Sequence, residues 1–121
     1  VQKTLVETMQ DPCRVGSVLH IIGGRWQGAI IWWLRDGTKR FGELRRHIPG
    51  VSQTVLTTQL RQLERDGLVH REQFDEMPVR VEYSLTDLGR SLLPILDDLR
   101  DWALQNLEAV ERARAEANGD E

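Results

Sequence analysis

A mainly α-helical fold with one small β-hairpin is predicted by three features of the 121-residue sequence. Apolar residues recur every three or four positions through the first half of the chain. The period falls from 3.6 to 2 over a short span after Gly67, and helical spacing returns for the remainder. At this length one compact domain over residues 1–121 is expected, and its composition, 40% hydrophobic and 29% charged, is that of a soluble globular chain.

The elements follow in order. Asp11-Pro12 is a start signal, and Val15, Val18, Leu19 and Ile22 recur at helical spacing until Gly23-Gly24. Trp26 to Leu34 reads as a second helix, apolar almost all round. Trp26, Ala29, Ile30, Trp33 and Leu34 share its stripe, and Ile31 and Trp32 lie off it, so it belongs in mid-core or against a partner subunit. Arg35-Asp36-Gly37 closes it with a glycine where a left-handed cap is favoured. A short third helix in "GELRRHI" ends at Pro49-Gly50. Ser52 is a good N-cap for a fourth, which gathers Val55, Leu56, Leu60 and Leu63 on one side, sets Thr54, Thr57, Thr58, Arg61 and Arg65 on the other, and stops at Asp66-Gly67. "LVHREQF" and "VRVEYSL" alternate as strands, joined by the polar Asp75-Glu76-Met77-Pro78, which predicts a two-stranded antiparallel hairpin. Thr86 then caps a long final helix over about 87–113, striped by Leu88, Leu92, Leu96, Leu99, Ala103, Leu107 and Val110, with a bend expected at Pro94.

Charge is segregated along the chain. Nineteen Asp and Glu face sixteen Lys and Arg overall, yet residues 44–63 contain no carboxylate. Gly37 to Arg71 holds seven bases against three acids, a local +4, whereas Thr86 to Glu121 holds four bases against nine acids, a local −5. A basic middle and an acidic tail suggest one face for a polyanion and another for a different partner; a merely solvated face is the plainer alternative. The apolar run around Trp26–Leu34 is broken by polar residues and is no transmembrane span. The first twelve residues lack the pattern of a secretion signal. With a single cysteine, a cytoplasmic chain is expected.

Two helices joined by a tight Gly-containing turn, followed by a hairpin, make a winged helix-turn-helix, spanning about 42–66 for the helical pair and about 68–85 for the wing. The missing carboxylates then have a reason: an acid on a helix lying in a major groove would be repelled by the phosphates. Gln53 suits adenine edges, the threonine methyls suit thymine methyls, and Arg61 can reach guanine or a phosphate. Arg45 and Arg46, on the preceding helix, are placed to touch the backbone. Arg80 in the wing is expected on a phosphate, and Arg71 either there or simply exposed. The candidate DNA-binding set is Arg45, Arg46, Ser52, Gln53, Thr54, Thr57, Thr58, Arg61, Arg65 and Arg80.

The segments "HIIGGRW", "KRFGELRRHIPGVSQTVLTTQLRQLERDGLV" and "VRVEYSLTDLGRSLLPIL" together resemble the HxlR-type winged helix-turn-helix transcriptional regulators of bacteria, a MarR-like group, over about residues 13 to 104. The resemblance implies a recognition helix at Ser52 to Arg65, a wing around Asp75 to Arg80, dimerisation through N- and C-terminal helices, and a cysteine near the start, which Cys13 matches. His20 stands where an acidic residue is common, and Trp32-Trp33 where smaller or charged residues are usual.

The expected function is therefore a sequence-specific DNA-binding transcriptional regulator, a bacterial repressor acting at the nucleoid on double-stranded DNA. It would bind a near-palindromic operator as a homodimer and answer to a small-molecule or oxidant effector. Because some relatives of this type respond to thiol-reactive compounds, Cys13 is the redox-sensing candidate; its plain alternative is a small apolar side chain at a helix start. Trp32 and Trp33 read first as core or interface and second as a ligand pocket. A protein-interaction module on the same fold is the rival function; it would present apolar anchors on the fourth helix. His20, His47 and His70 are too far apart for a metal site, and no nucleophile elbow, Ser-His-Asp set or phosphate loop appears. Neither an enzyme nor a cofactor is expected.

Overall fold

The computed structural model describes residues 12–119. Its elements are α1 Val15–Ile22, α2 Gln27–Trp33, β1 Lys39–Arg40, α3 Phe41–His47, α4 Gln53–Arg65, β2 Val69–Phe74, β3 Arg80–Leu85, α5 Asp87–Arg90 and α6 Leu93–Gly119.

The start signal at Asp11 lies outside the described residues. Where α1 begins, Arg14 holds the N-cap position at φ 60 without a side-chain cap bond. Only Ile22 of this helix is buried, while Val15 and Leu19 are half exposed. α2 is the central element: Ile30, Ile31 and Leu34 are fully buried. Ile31, read as lying off the apolar stripe, is thus as buried as Ile30, because α2 is covered from more than one side. α2 ends with Leu34 as its C-cap, and Gly37 serves the loop beyond rather than the cap.

The helix-turn-helix is fixed by local chemistry. Glu43 reaches back to accept from the Arg40 N–H at 3.1 Å and starts α3. Pro49-Gly50 prevents its continuation, Gly50 taking a positive φ of 85 that suits a residue without Cβ. The Ser52 hydroxyl accepts from the Val55 N–H at 3.1 Å and starts α4. α4 ends in a Schellman motif: the Leu68 N–H donates to the Leu63 carbonyl at 3.0 Å, the Gly67 N–H to that of Glu64 at 3.0 Å, and Gly67 sits at φ 77. Leu63 and Leu68, which accompany that motif, are both buried.

The sheet has three antiparallel strands in the order β1-β3-β2, where two were expected. Lys39 pairs with Tyr83 and Arg40 with Glu82. A two-residue strand has no period to read, and only its partner reveals it. The β2–β3 register runs from Val69↔Leu85 to Phe74↔Arg80. Val69 and Leu85, at its base, are buried with Leu44, Ile48, Val51, Leu56, Leu60 and Leu63, so one core joins the sheet to α2, α3 and α4. Each fully buried Leu or Ile contributes about 1.5–3 kcal/mol.

The expected single helix after Thr86 is two. Thr86 caps the four-residue α5, accepting from the Gly89 N–H at 3.0 Å, and α6 starts afresh at Leu93 with Pro94 as its second residue. Proline has no N–H to donate and clashes with the preceding turn, costs that vanish in the first turn of a helix. The chain therefore breaks before Pro94 instead of bending at it. α6, 27 residues and about 40 Å long, buries only Leu96. Ile95, Leu99, Trp102, Leu104 and Leu107 are each at least 48% exposed.

Candidate nucleic-acid interface

α4 presents a continuous polar face. Ser52, Gln53, Thr54, Thr58, Arg61 and Arg65 are exposed and Thr57 is half-buried, while Leu56, Leu60 and Leu63 anchor the opposite side in the core. The Thr57 hydroxyl donates to the Gln53 carbonyl at 2.8 Å and the Thr58 hydroxyl to that of Thr54 at 3.0 Å. With those protons committed to the helix, both threonines offer methyl groups and oxygen lone pairs outward. Ser52 spends an acceptor position on its cap, so its first task is to set where α4 begins.

The two arginines of α3 are exposed and brace backbone. Arg45 Nε donates to the Val51 carbonyl at 3.3 Å across the turn, and Arg46 Nε to that of Gly42 at 3.2 Å. Both sit beside the turn, where the first helix of such a pair crosses the DNA backbone.

Arg80 has a different setting from its sequence reading. Its Nη1 donates to Glu82 at 3.0 Å, its Nη2 to Glu76 at 3.0 Å, and its guanidinium lies 3.9 Å from the Phe74 ring centroid. Two carboxylates and an aromatic face hold it as a strut inside the wing, with Nε buried and without a hydrogen-bond partner. Arg71, by contrast, is exposed and bonds only laterally in the strand, to Gln73 at 3.2 Å. It borders a cleft of about 290 Å³ between α4 and the sheet, lined by Thr57, Arg61, Glu64, Arg71 and Tyr83. Sequence reading left Arg71 undecided and passed over Tyr83, because only the strand register brings them together opposite Arg61.

A second, apolar cavity of about 370 Å³ lies between α2 and α6, walled by Trp32, Trp33, Leu96 and Leu99 with Arg100 at its edge. The Trp pair suspected from sequence does line it. Beside it Asp97 accepts from Arg35 Nη1 at 2.6 Å and Nη2 at 2.9 Å, and from Trp32 Nε1 at 3.0 Å. The Arg35 bonds, aided by that of Trp32 and opposed by partial desolvation, hold the Asp97 carboxyl at about 2. The same bidentate pair pushes the Arg35 guanidinium above its ordinary value.

Cys13 is exposed, two residues before α1. His47 stacks on Trp33 at 4.4 Å between centroids, and His20 and His70 lie on other elements. Among the described residues no group of metal-ligating side chains forms, and no helix is long and apolar enough to cross a membrane.

The comparisons agree with this geometry. The family model described as HxlR-like helix-turn-helix matches residues 21–111. The HTH-type transcriptional regulator YdeP of Bacillus subtilis is 44% identical over 105 residues, 87% of this chain and 82% of its own length. The redox regulator HypR in its reduced form superimposes with a TM-score of 0.76 at 46% identity, covering 81% of this chain and 97% of that one. The reduced transcriptional regulator YodB of B. subtilis gives 0.70 at 39% identity over 84% and 98%. A helix-turn-helix flanked by a wing, with three-quarters of the chain matched by the family, places this protein in the HxlR-like family of winged helix-turn-helix transcriptional regulators.

Proposed function

We propose that the protein is a homodimeric repressor that binds a near-palindromic operator with α4 of each protomer in a major groove. The observation that carries this is the polar face of α4, where Gln53, Thr54, Thr57, Thr58, Arg61 and Arg65 stand on a helix free of acids from its start to Leu63. Its N-terminal residues suit base edges and its arginines suit guanine or phosphate. A protein-interaction surface would offer apolar anchors there, and this face has none.

The uncovered apolar residues of α1 and α6, Val15, Leu19, Leu99, Trp102, Leu104 and Leu107, support dimerisation through both terminal helices. The two recognition helices would then read half-sites about one helical turn apart, or a multiple of it. Cys13 is the candidate thiol for an oxidant effector: it is exposed next to α1, so its modification would act on the proposed dimer interface. The similar protein HypR is described as a redox regulator in both oxidised and reduced forms. Such a protein would act on the nucleoid in the cytoplasm.

Selection of genomic fragments by the purified protein, followed by salt-titrated gel shifts with and without diamide, tests the reading. An enriched near-palindrome with strongly salt-dependent affinity is expected, with release by diamide that Cys13→Ser abolishes. Retention of no fragment above random background would refute DNA recognition, and an identical response of Cys13→Ser and wild type would refute the sensor.

A further inference from the structure

We propose that the cleft between α4 and the sheet is a phosphate clamp, through which the DNA strand bordering the major groove passes. The proposal rests on the DNA-binding reading above and assigns a ligand to a site which that reading leaves empty. Three observations carry it.

The first is steric. A helix with its side chains is about 10–12 Å across and the major groove about 12 Å wide, so a helix seated there fills the groove from one phosphodiester strand to the other. Whatever packs directly beside the helix meets a phosphodiester strand first. Here that element is β2, which contacts α4 directly.

The second is the cross-strand row in the sheet. Lys39 pairs with Tyr83 and Tyr83 with Arg71, so the three side chains stand on one face with the phenol between two cations. That face continues from Val69 and Leu85, which are buried against the core, so it faces α4. Arg71 and the Tyr83 hydroxyl therefore look across the cleft at Thr57 and Arg61, with Lys39 one strand further along the same face. Glu64 is the acid of the lining, so the balance there is two cations, Arg61 and Arg71, to one carboxylate, favourable to a phosphodiester.

The third is the position of Arg61. It lies nine residues beyond the Ser52 cap, about 13 Å along the axis, whereas base reading is done by the first turns of a recognition helix. Arg61 is therefore assigned to the phosphate, and base reading to Gln53, Thr54, Thr57 and Thr58. Arg80, tied to Glu76 and Glu82, keeps the hairpin in shape and leaves the anion to Arg71.

The test uses the full chain, a duplex carrying the selected operator, and a random duplex of equal length, with affinity measured by fluorescence anisotropy at several NaCl concentrations. Each lost phosphate contact lowers the slope of log K against log salt by about 0.9, which is about eightfold in affinity at 0.1 M salt for each bound protomer. Arg71→Ala should show that loss on both duplexes, Arg71→Lys should restore most of it, and Arg80→Ala should leave the slope unchanged. An unaltered slope for Arg71→Ala, or a loss confined to the operator, overturns the clamp while leaving DNA binding intact. A wild-type protein that binds neither duplex overturns the DNA reading itself. Saturable binding of inorganic phosphate that Arg71→Ala removes, with the DNA slope unchanged, would reassign the cleft to a free anion and likewise overturn it.

Discussion

Replacing Gly89 by alanine should be among the more damaging single-methyl additions this chain can receive. Gly89 is the third residue of α5 and is buried directly against the start of β2. A Cβ there would overlap the Leu68 carbonyl oxygen, come within 3.1 Å of the Leu68 carbonyl carbon and within 3.2 Å of Leu85 Cδ2. The Leu68 carbonyl has little freedom to yield, since it accepts from the Thr86 N–H at 3.1 Å. The Thr86 hydroxyl in turn donates to the Gly67 carbonyl at 2.6 Å and accepts from Gly89 itself. Relief therefore requires α5 to lift, at an overpacking cost of about 1–3 kcal/mol and about 1 kcal/mol for each hydrogen bond given up. A loss of about 3 kcal/mol follows, or roughly 10 °C in Tm for a chain of this size. The control is the same substitution at Gly42, in the first turn of α3, where a Cβ meets nothing within 4 Å. Gly42→Ala should stabilise by about 0.5 kcal/mol through helix propensity. Guanidinium unfolding followed by tryptophan fluorescence, all proteins at one concentration because the stability of the proposed dimer depends on it, measures both. If Gly89→Ala unfolds within about 0.5 kcal/mol of wild type, Gly89 is not packed tightly against an unyielding Leu68 carbonyl as argued.

Three further expectations concern single residues. Ser52→Ala removes the α4 cap and should cost about 1 kcal/mol, whereas Ser52→Asp should keep the cap and stability yet lower DNA affinity on the order of tenfold by placing a carboxylate on the groove face; equal affinity for Ser52→Asp and wild type in an anisotropy titration would contradict the placement. Leu107→Glu, on the uncovered stripe of α6, should convert dimer to monomer in sedimentation velocity at micromolar concentration, and an unchanged dimer would move the interface elsewhere. The Asp97 carboxyl, at about 2, lies below the ordinary carboxylate value of about 3.9, so the bond to Arg35 contributes fully above about pH 4 and is lost as pH falls through 2. The gap in urea midpoint between wild type and Asp97→Asn should therefore narrow between pH 4 and 2, and a constant gap would refute the linkage.

Much of the fold was legible because its signals are local. Ser52 caps within one turn, Pro49-Gly50 stops a helix whatever surrounds it, and Gly67 ends α4 through its own backbone freedom. The carboxylate-free span likewise marked the candidate surface without a coordinate. Other features needed a distant partner. β1 exists only because Lys39 and Arg40 lie beside β3, and two residues carry no period. The burial of Ile31 depends on what covers α2 from a second side.

Arg80 and Arg71 show the division most clearly. Both are strand arginines, and the linear reading favoured Arg80 for a phosphate while leaving Arg71 open. Register places Arg80 opposite Phe74 and within reach of Glu76 and Glu82, and Arg71 in a row with Tyr83 and Lys39 facing α4. The amino-acid sequence alone determined the four helices up to Gly67, the β2–β3 hairpin and their order, and it marked the acid-free helix proposed to face a polyanion, since propensity, capping and the exclusion of acids act within a few residues. The tertiary structure alone decided that Arg80 is paired inside the wing while Arg71 stays exposed beside α4, because a charge is neutralised by whatever lies within a few ångströms of it, and that is set by strand pairing rather than by position in the chain.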